Sequence, residues 1–357
     1  MVINLYIIII MAFTHQDTEC MTLALKISEL GRTSVGANPM VGCVIMRDGK
    51  IIAQDYHREY GNGHAEINAL DQIYHKANNT ELYLTLEPCS HQGKTPPCVD
   101  ALIKAGVKKV IMAMSDPNPL VSGKGIKKLK DAGIQVEVGL LKDVASDLNR
   151  GYIKRIQSGL PFVTSKIAMS LDGRTAMKSG ESKWITSDAA RNDVHKLRSE
   201  NQAIMTGSGT IITDNPMMTV RLKEVCSKPL RVVIDSGNII SDKSLNIFSC
   251  DAETLILNSN NSTILPNGKL DLKLALMKLG EMGINNLLIE AGSGLNGAML
   301  SAGLVDEFII YTAPLILGSD AKPMIQIPLK TMSEKIKLNI VDIRHIGTDI
   351  KIKATLK

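Results

Sequence analysis

The chain has 357 residues, 44% of them hydrophobic and 22% charged, more than one hydrophobic core usually holds, so two domains of roughly 150 to 200 residues are expected. A net charge of +5 is mildly basic and accommodates an anionic small substrate without singling one out, whereas 3% aromatics are a poor supply for stacking on exposed bases, which argues against a nucleic-acid partner. Six irregularly spaced cysteines (Cys20, Cys43, Cys89, Cys98, Cys226, Cys250) do not form a secreted disulfide framework and point to a reducing cytoplasm.

The opening "MVINLYIIIIMAF" is too short to span a bilayer, which takes about 20 apolar residues. It reads as an extension that is poorly ordered, because a domain already begins near Met11. Asp17 or Thr18 can cap a helix with Cys20, Leu23, Ala24, Ile27 and Leu30 on one face and Gly31 as its stop. "MVGCVIM" and "KIIAQD" flank Arg47-Asp48-Gly49 as a hairpin, with Cys43 in the core.

Alternating units follow: a helix from His64 to about Ala77, the strand "ELYLTL", a helix from Pro97 to Ala105, the strand "KKVIMAM", a helix over Gly125 to Ala132, and the strand "IQVEV". Such alternation predicts a layered α/β domain with parallel crossovers. After an amphipathic stretch holding Leu141, Val144, Ala145 and Leu148, Gly159 and Pro161 break the pattern. The expected domains are therefore 11–158 and 159–357.

The second half opens with the strand "FVTSKIAMS", then a polar loop and a helix from Asp188 to Ser199. Further strands are expected in "RVVIDS", "ETLILN", "NNLLIE" and "DEFIIYTAP", with a final hairpin from Ile336 to Leu356 turning near Gly347. "SLDGRTA", "SGESKWIT" and "TGSGTIITDNPMMTVR" read as long polar loops of functional type.

"GHAEI" puts His64 and Glu66 at a helix start, and "EPCSHQGKTPPC" puts Cys89 after a strand and Cys98 at the next helix. One imidazole and two thiolates make three zinc ligands and leave a fourth tetrahedral position for water. Zinc lowers the pKa of such a water to about 7, and Glu66 can carry its proton to a leaving amine. The order H-x-E followed by P-C is that of zinc deaminases, with a longer gap between the cysteines than in the nucleoside and nucleic-acid branches. His91 faces substrate or solvent on this reading, while His15, His57 and His75 belong to no constellation and are taken as surface residues.

In the second half, "LLIEAGSGLNGA" ends a strand with Gly292, Gly294 and Gly297 before a helix, where free backbone amides suit a pyrophosphate. It lies late in its domain, so a nucleotide cofactor on a scaffold other than the Rossmann type is expected. Arg198 and Arg221 offer planar donor forks for phosphate.

Taken together, "NPMVGCVI", "HAE", "TLEPCSHQGKTPPC", "SDPNP", "SLDGRTA", "SGESKWIT", "DNPMMTVR" and "EAGSGLNGAML" resemble the bifunctional riboflavin biosynthesis RibD family, from about residue 11 to the end. The resemblance implies a cytidine-deaminase-like three-layer α/β/α domain followed by a dihydrofolate-reductase-like α/β domain. It implies zinc on His64, Cys89 and Cys98, with Glu66 as proton shuttle, acting on 2,5-diamino-6-(5-phosphoribosylamino)pyrimidin-4-one.

For the second domain the resemblance implies NADPH-dependent reduction of the ribosyl chain to ribityl. Its cofactor positions are Ala168, Trp184, Thr210, Asp214, Ser236 and the turn Gly292, Ser293, Gly294, Leu295, Asn296, Gly297 and Ala298. Ser182, Arg198, Met218, Arg221 and Glu290 fall on substrate positions, with Lys166 and Asp172 nearby. A homo-oligomer, dimer or tetramer, is implied as well. Lys94 stands where the family often has arginine, exchanging a bidentate donor for a point charge. Two other readings stay open at this level: a deaminase of free nucleosides or nucleic acid with a carboxyl-terminal binding module, and a scaffold protein with a structural zinc.

Overall fold

The computed structural model describes residues 13–91, 96–119, 121–223 and 227–357, and the expectations for the first ten residues and for Lys94 lie outside them. The chain divides into two compact units, one ending at Ile153 and the other beginning at Lys154.

The first unit contains α1 (His15–Ser28), β1 (Gly42–Arg47), β2 (Lys50–Tyr56), α2 (Ala65–Asp71), β3 (Glu81–Leu84), α3 (Cys98–Ala105), β4 (Lys109–Met112), α4 (Lys124–Asp131), β5 (Gln135–Val138) and α5 (Lys142–Leu148). Helix α6 (Arg150–Ser158) runs across the division, ahead of the Gly159–Pro161 break. The sheet order is β2-β1-β3-β4-β5, antiparallel at β1 and parallel from β3 onward.

Successive strand residues face opposite sides, so Cys43 and Ile45 pack with α2, α3 and α4, while Val44 and Met46 pack with α1 and α5. Two covered faces make the expected three-layer α/β/α arrangement. Cys20 and Cys43 are core residues, as their positions in the pattern imply.

Three local expectations need correction. The cap of α1 is Thr14, whose hydroxyl accepts from the Asp17 N–H while the Asp17 carboxylate accepts from the Thr14 N–H; Asp17 is thus three residues inside the helix. Leu30 is 63% exposed in the turn after α1 rather than on its buried face. Helix α2 ends at Asp71, well short of Ala77, and Tyr74 and His75 turn the chain with positive φ.

The second unit contains β6 (Phe162–Ser170), β7 (Arg174–Ala176), α7 (Asp188–Ser199), β8 (Ala203–Gly207), α8 (Ser208–Asp214), β9 (Leu230–Asp235), β10 (Thr254–Asn258), α9 (Leu272–Glu281), β11 (Asn286–Ile289), α10 (Ser293–Ser301), β12 (Glu307–Ala313), β13 (Lys322–Pro323), β14 (Leu338–Ile346) and β15 (Asp349–Leu356). Its main sheet runs β10-β9-β8-β11-β6-β12-β15-β14, parallel as far as β12 and antiparallel in the closing hairpin. Strands β7 and β13 pair separately.

Val163, Ile167 and Met205 face α9 and α10, while Ile204, Val233, Leu288, Ile309 and Tyr311 face α7 and α8. The stretch "TGSGTIITD", expected as a loop, is instead the end of β8 followed by α8. In α/β sheets ligands gather beyond the carboxyl ends of parallel strands. Those ends here present Ser170, Gly207, Asp235 and Glu290.

The contact between α1 and β1 is tight enough to test. A Cβ on Gly42 would lie 2.0 Å from the Ala24 carbonyl oxygen, so Gly42→Ala should force the helix off the sheet at a cost of roughly 1–3 kcal/mol. Urea unfolding would read this as a lower midpoint with unchanged slope; an unchanged midpoint would refute the close packing.

Candidate active sites

In the first unit three donors from three segments converge. His64 precedes the first turn of α2, Cys89 follows β3, and Cys98 is the first residue of α3. The Nδ1 of His64 lies 3.6 Å from the Cys89 sulfur and 3.3 Å from that of Cys98, and all three ligand atoms fall within 4.8 Å of one another. Zinc bonds to sulfur and nitrogen at tetrahedral angles would place S and N about 3.6 Å apart. The donor set and its spacing fit that ion.

Backbone groups fix this arrangement. The Cys98 N–H donates to the Cys89 sulfur at 3.3 Å, and the Val99 N–H donates to the Cys89 carbonyl at 3.2 Å, so Cys89 sits on the positive end of α3. Upstream, the buried Glu87 carboxylate accepts from the N–H groups of Asp116, Gly123, Gly125 and Ile126 at 3.0–3.2 Å. Gly125 is needed there, since a Cβ would lie 2.5 Å from the Pro88 carbonyl oxygen.

The two thiols titrate as a pair. A hydrogen bond from Cys98 holds Cys89 as a thiolate, down to about 4, with His64 assisting and burial opposing. That same bond, together with burial, pushes Cys98 up. One proton between two sulfurs is the arrangement that a divalent cation replaces.

Glu66, in the first turn of α2, is 3% exposed. Burial raises its pKa from the ordinary carboxylate value, against the lowering effect of His64. A carboxyl group that is buried beside the donors and inclined to hold a proton suits acid–base work.

His57, expected at the surface, is 2% exposed and meets the His64 ring edge-on at 5.3 Å. The Asn38 amide donates to its Nε2 at 2.9 Å, which places the ring proton on Nδ1, 3.1 Å from the Gly63 carbonyl. Burial lowers its pKa and keeps it neutral. Since Gly63 directly precedes His64, this chain of bonds orients the ligand segment. The sequence signal was "NPM" together with a histidine just upstream of "GHAE". His91 is exposed, as expected, and His15 and His75 are surface residues.

In the second unit Glu290, just beyond β11, joins Lys166 of β6 and Arg198 of α7. Its carboxylate accepts from Arg198 through Nε and through Nη2 at 3.0 Å, and from Lys166 Nζ at 3.1 Å. Burial alone would raise the Glu290 carboxyl, but the two cations hold it far below its usual range. The remaining edge of Arg198 donates to the Thr219 carbonyl at 3.0 Å.

Arg221 is exposed, its Nη1 3.4 Å from the Thr219 hydroxyl and its N–H donating to His195 Nδ1 at 3.3 Å. Burial, with Arg198 and Arg221 nearby, lowers His195 to about 4 and leaves it a neutral acceptor. Met218 is buried among Ile204 and Ile211. The Ser182 hydroxyl lies 3.4 Å from Asp214, the last residue of α8.

The glycine turn opens α10. Gly292 and Gly294 have no atom within 4 Å of a built Cβ, and neither has positive φ. Neither packing nor backbone conformation within the chain requires glycine there; a ligand seated on the turn would. Gly297 differs, because its Cβ would lie 2.0 Å from the Gln326 carbonyl oxygen. Asn296 is buried and ties the turn down, donating to the Ala291 carbonyl at 2.9 Å and accepting from Ser165 at 3.0 Å.

Thr210 lies on α8 and Ala168 on β6, while Ser236 follows β9 and accepts from the Leu270 N–H at 3.2 Å. Trp184 is 69% exposed, with the Arg191 guanidinium 4.4 Å from its ring centre. Asp172 accepts from the N–H groups of Leu317 and Gly318 and from the Ser170 hydroxyl.

Comparison with known proteins follows the same division. Residues 161–352 match the family model described as RibD C-terminal domain, and residues 14–114 match the cytidine and deoxycytidylate deaminase zinc-binding region. The chain is similar to the riboflavin biosynthesis protein RibD of Escherichia coli, with 43% identity over 94% of this chain and 98% of that protein. The RibD of Haemophilus influenzae is 42% identical over 97% and 99%.

Among solved structures, Acinetobacter baumannii RibD superposes with a TM-score of 0.89 at 38% identity, covering 96% of this chain and 99% of the other. A diaminohydroxyphosphoribosylaminopyrimidine deaminase/5-amino-6-(5-phosphoribosylamino)uracil reductase from Thermotoga maritima superposes at 0.88 with 32% identity, over the same shares.

Two outcomes follow from this geometry. Chelator-treated protein should keep a thiolate ultraviolet absorbance down to pH 5 that Cys89→Ser removes; loss of that absorbance between pH 9 and pH 7 in the parent would contradict the shared-proton pair. Glu290→Gln should lower unfolding stability by about 3–5 kcal/mol, the cost of leaving buried cations without their carboxylate; a urea midpoint equal to the parent's would mean those cations are solvated.

Proposed function

The chain belongs to the RibD family and is a bifunctional riboflavin-biosynthesis enzyme, a deaminase and a reductase in one polypeptide; on that premise we propose which residues perform each step. The observation that carries the reading is the convergence of His64, Cys89 and Cys98 beside the buried Glu66.

The deaminase works on the diamino-phosphoribosylaminopyrimidine. His64, Cys89 and Cys98 would hold zinc, which when bound supplies a Lewis acid that acidifies water to near neutrality. Glu66 takes up a proton from the attacking water and delivers it to the amino group that leaves as ammonia. Its raised pKa favours holding the proton between the two events. His57 keeps the ligand segment in register through Gly63.

The reductase takes NADPH, which supplies hydride for reduction of the ribosyl chain to ribityl. The amides of the first turn of α10 at Ser293, Gly294 and Leu295, unpaired among the described residues, would hold its pyrophosphate, with Gly292, Asn296, Gly297 and Ala298 shaping the turn and Ala168, Trp184, Thr210, Asp214 and Ser236 lining the rest. On the substrate side, Arg221 meets the phosphate, with Ser182 and Met218 beside it. Arg198 would serve that site through Glu290 and Thr219, which three of its five N–H donors already meet.

We draw the boundary between the activities at the break near Gly159 and place the enzyme in the cytoplasm, where thiols such as Cys89 and Cys98 stay reduced. A homo-oligomer is proposed as well. Edge strand β14 exposes Ile340, Val341 and Ile343 around a bulge, a face that a second copy of the chain would cover.

A coupled assay that records ammonia and NADPH consumption separately tests the assignment. Glu66→Gln should reduce ammonia release at least about a hundredfold, as loss of a general acid–base does. Reduction of the supplied deaminated intermediate should continue at the parent rate. Loss of both activities from this one change, or cytidine turnover by the parent, would overturn it.

A further inference from the structure

The segment 215–221 carries Met218, Thr219 and Arg221, and it is held in an unusual shape. Asn215 and Met218 have φ of +43° and +52°, a region that side-chain-bearing residues seldom occupy and that surrounding contacts must maintain. Two clamps do so. In the first, the Asn246 N–H donates to the Asn215 side-chain oxygen at 2.7 Å, and the Asn246 amide donates to the Asn215 carbonyl at 2.8 Å.

The second clamp is Arg231 of β9, 1% exposed and the largest fully buried side chain among the described residues. Its Nη1 donates to the carbonyls of Met217 and Asn246 at 3.3 Å and to the Ser249 hydroxyl at 3.2 Å. Its Nη2 donates to the carbonyls of Ser249 and Ala252 at 2.7 and 2.5 Å. Asp251 makes no hydrogen bond to it among those observed; it attracts the guanidinium through space and bonds to Ser249, whose hydroxyl lies 2.9 Å from that carboxylate.

Burying a cation without a directly bonded carboxylate is costly. What this one gains is a rigid fork that joins the sheet, the 246–252 segment and the 215–221 segment at a single point.

From Met217 the connection reaches the reductase site in two residues. The Thr219 carbonyl accepts from Arg198, the Thr219 hydroxyl from Arg221, and His195 accepts from the Arg221 N–H. We infer that Arg231 is a positioning residue of the reductase: by fixing Met217 it sets Met218, Thr219 and Arg221 in the geometry that receives the substrate phosphate. This rests on the proposed reading of Arg221 and Met218 as substrate-facing. Arg231 itself touches neither substrate nor cofactor in this role.

The test uses full-length protein and the variants Arg231→Met, Arg231→Lys and Arg221→Met, with KM for the deaminated intermediate, KM for NADPH, kcat and ammonia release measured on each preparation. Arg231→Met should raise the substrate KM about tenfold while the NADPH KM and ammonia release stay near the parent's. Lysine, which keeps charge without the fork, should recover part of the loss.

A lower melting temperature with unchanged substrate KM would overturn the inference, as would an equal rise in both KM values. If Arg231→Met does not fold, the lysine variant decides alone, and a parental substrate KM there refutes the role. A raised substrate KM in Arg221→Met with parental values in both Arg231 variants would sink only this inference; parental values in Arg221→Met would sink the site reading beneath it.

Discussion

Two sulfurs and an imidazole nitrogen brought within 4.8 Å of one another need positive charge between them, whether a shared proton or a metal ion. The first unit is arranged around that requirement. Cys89 ends the segment leaving β3, Cys98 begins α3, and His64 begins α2, so the donors meet only if sheet and helices are correctly packed. Glu87, with four backbone N–H groups on its carboxylate, and His57, bonded to Gly63, hold the two approaches to that point. Cys89 and Cys98 are thus free thiols that meet His64 in a donor set able to hold a metal, rather than a disulfide.

The second unit depends on a comparable balance with the signs reversed. Glu290 is a carboxylate gathered by two cations, and Arg198 passes that fixed position on to the Thr219 carbonyl. The glycine turn that opens α10 shares the same end of the sheet, because β11 leads into both Glu290 and Gly292. The His64–Cys89–Cys98 cluster and the Glu290 cluster are therefore separate constellations, each beyond the strands of its own sheet, and the proposed reading gives one to acid–base chemistry on an amine and the other to hydride chemistry on a sugar.

Much of this was legible in the residues. The alternating apolar runs bring out both sheets, and the H-x-E and P-C order picks out His64, Cys89 and Cys98, which do converge, because a metal site needs particular atoms and those have few sources. Polarity misled where local signals were weak: "TGSGTIITD" reads as a loop since its helix, α8, is short and begins with serine and glycine. Strand β8 was missed for the same reason, its apolar run "AIM" being brief. His57 was misplaced because burial of a histidine depends on the distant partners Asn38 and Gly63. Arg231 was invisible as a buried cation, since its carbonyl partners carry no side-chain signature.

The metal site is the point on which the account turns, and zinc-edge X-ray absorption on protein purified without chelator addresses it directly. The account predicts one zinc per chain, with two sulfur neighbours, one imidazole nitrogen and one exchangeable light atom, and loss of the sulfur contribution on replacing Cys89 and Cys98 with serine. Absence of zinc, or a fourth ligand from the protein in place of solvent, would contradict it.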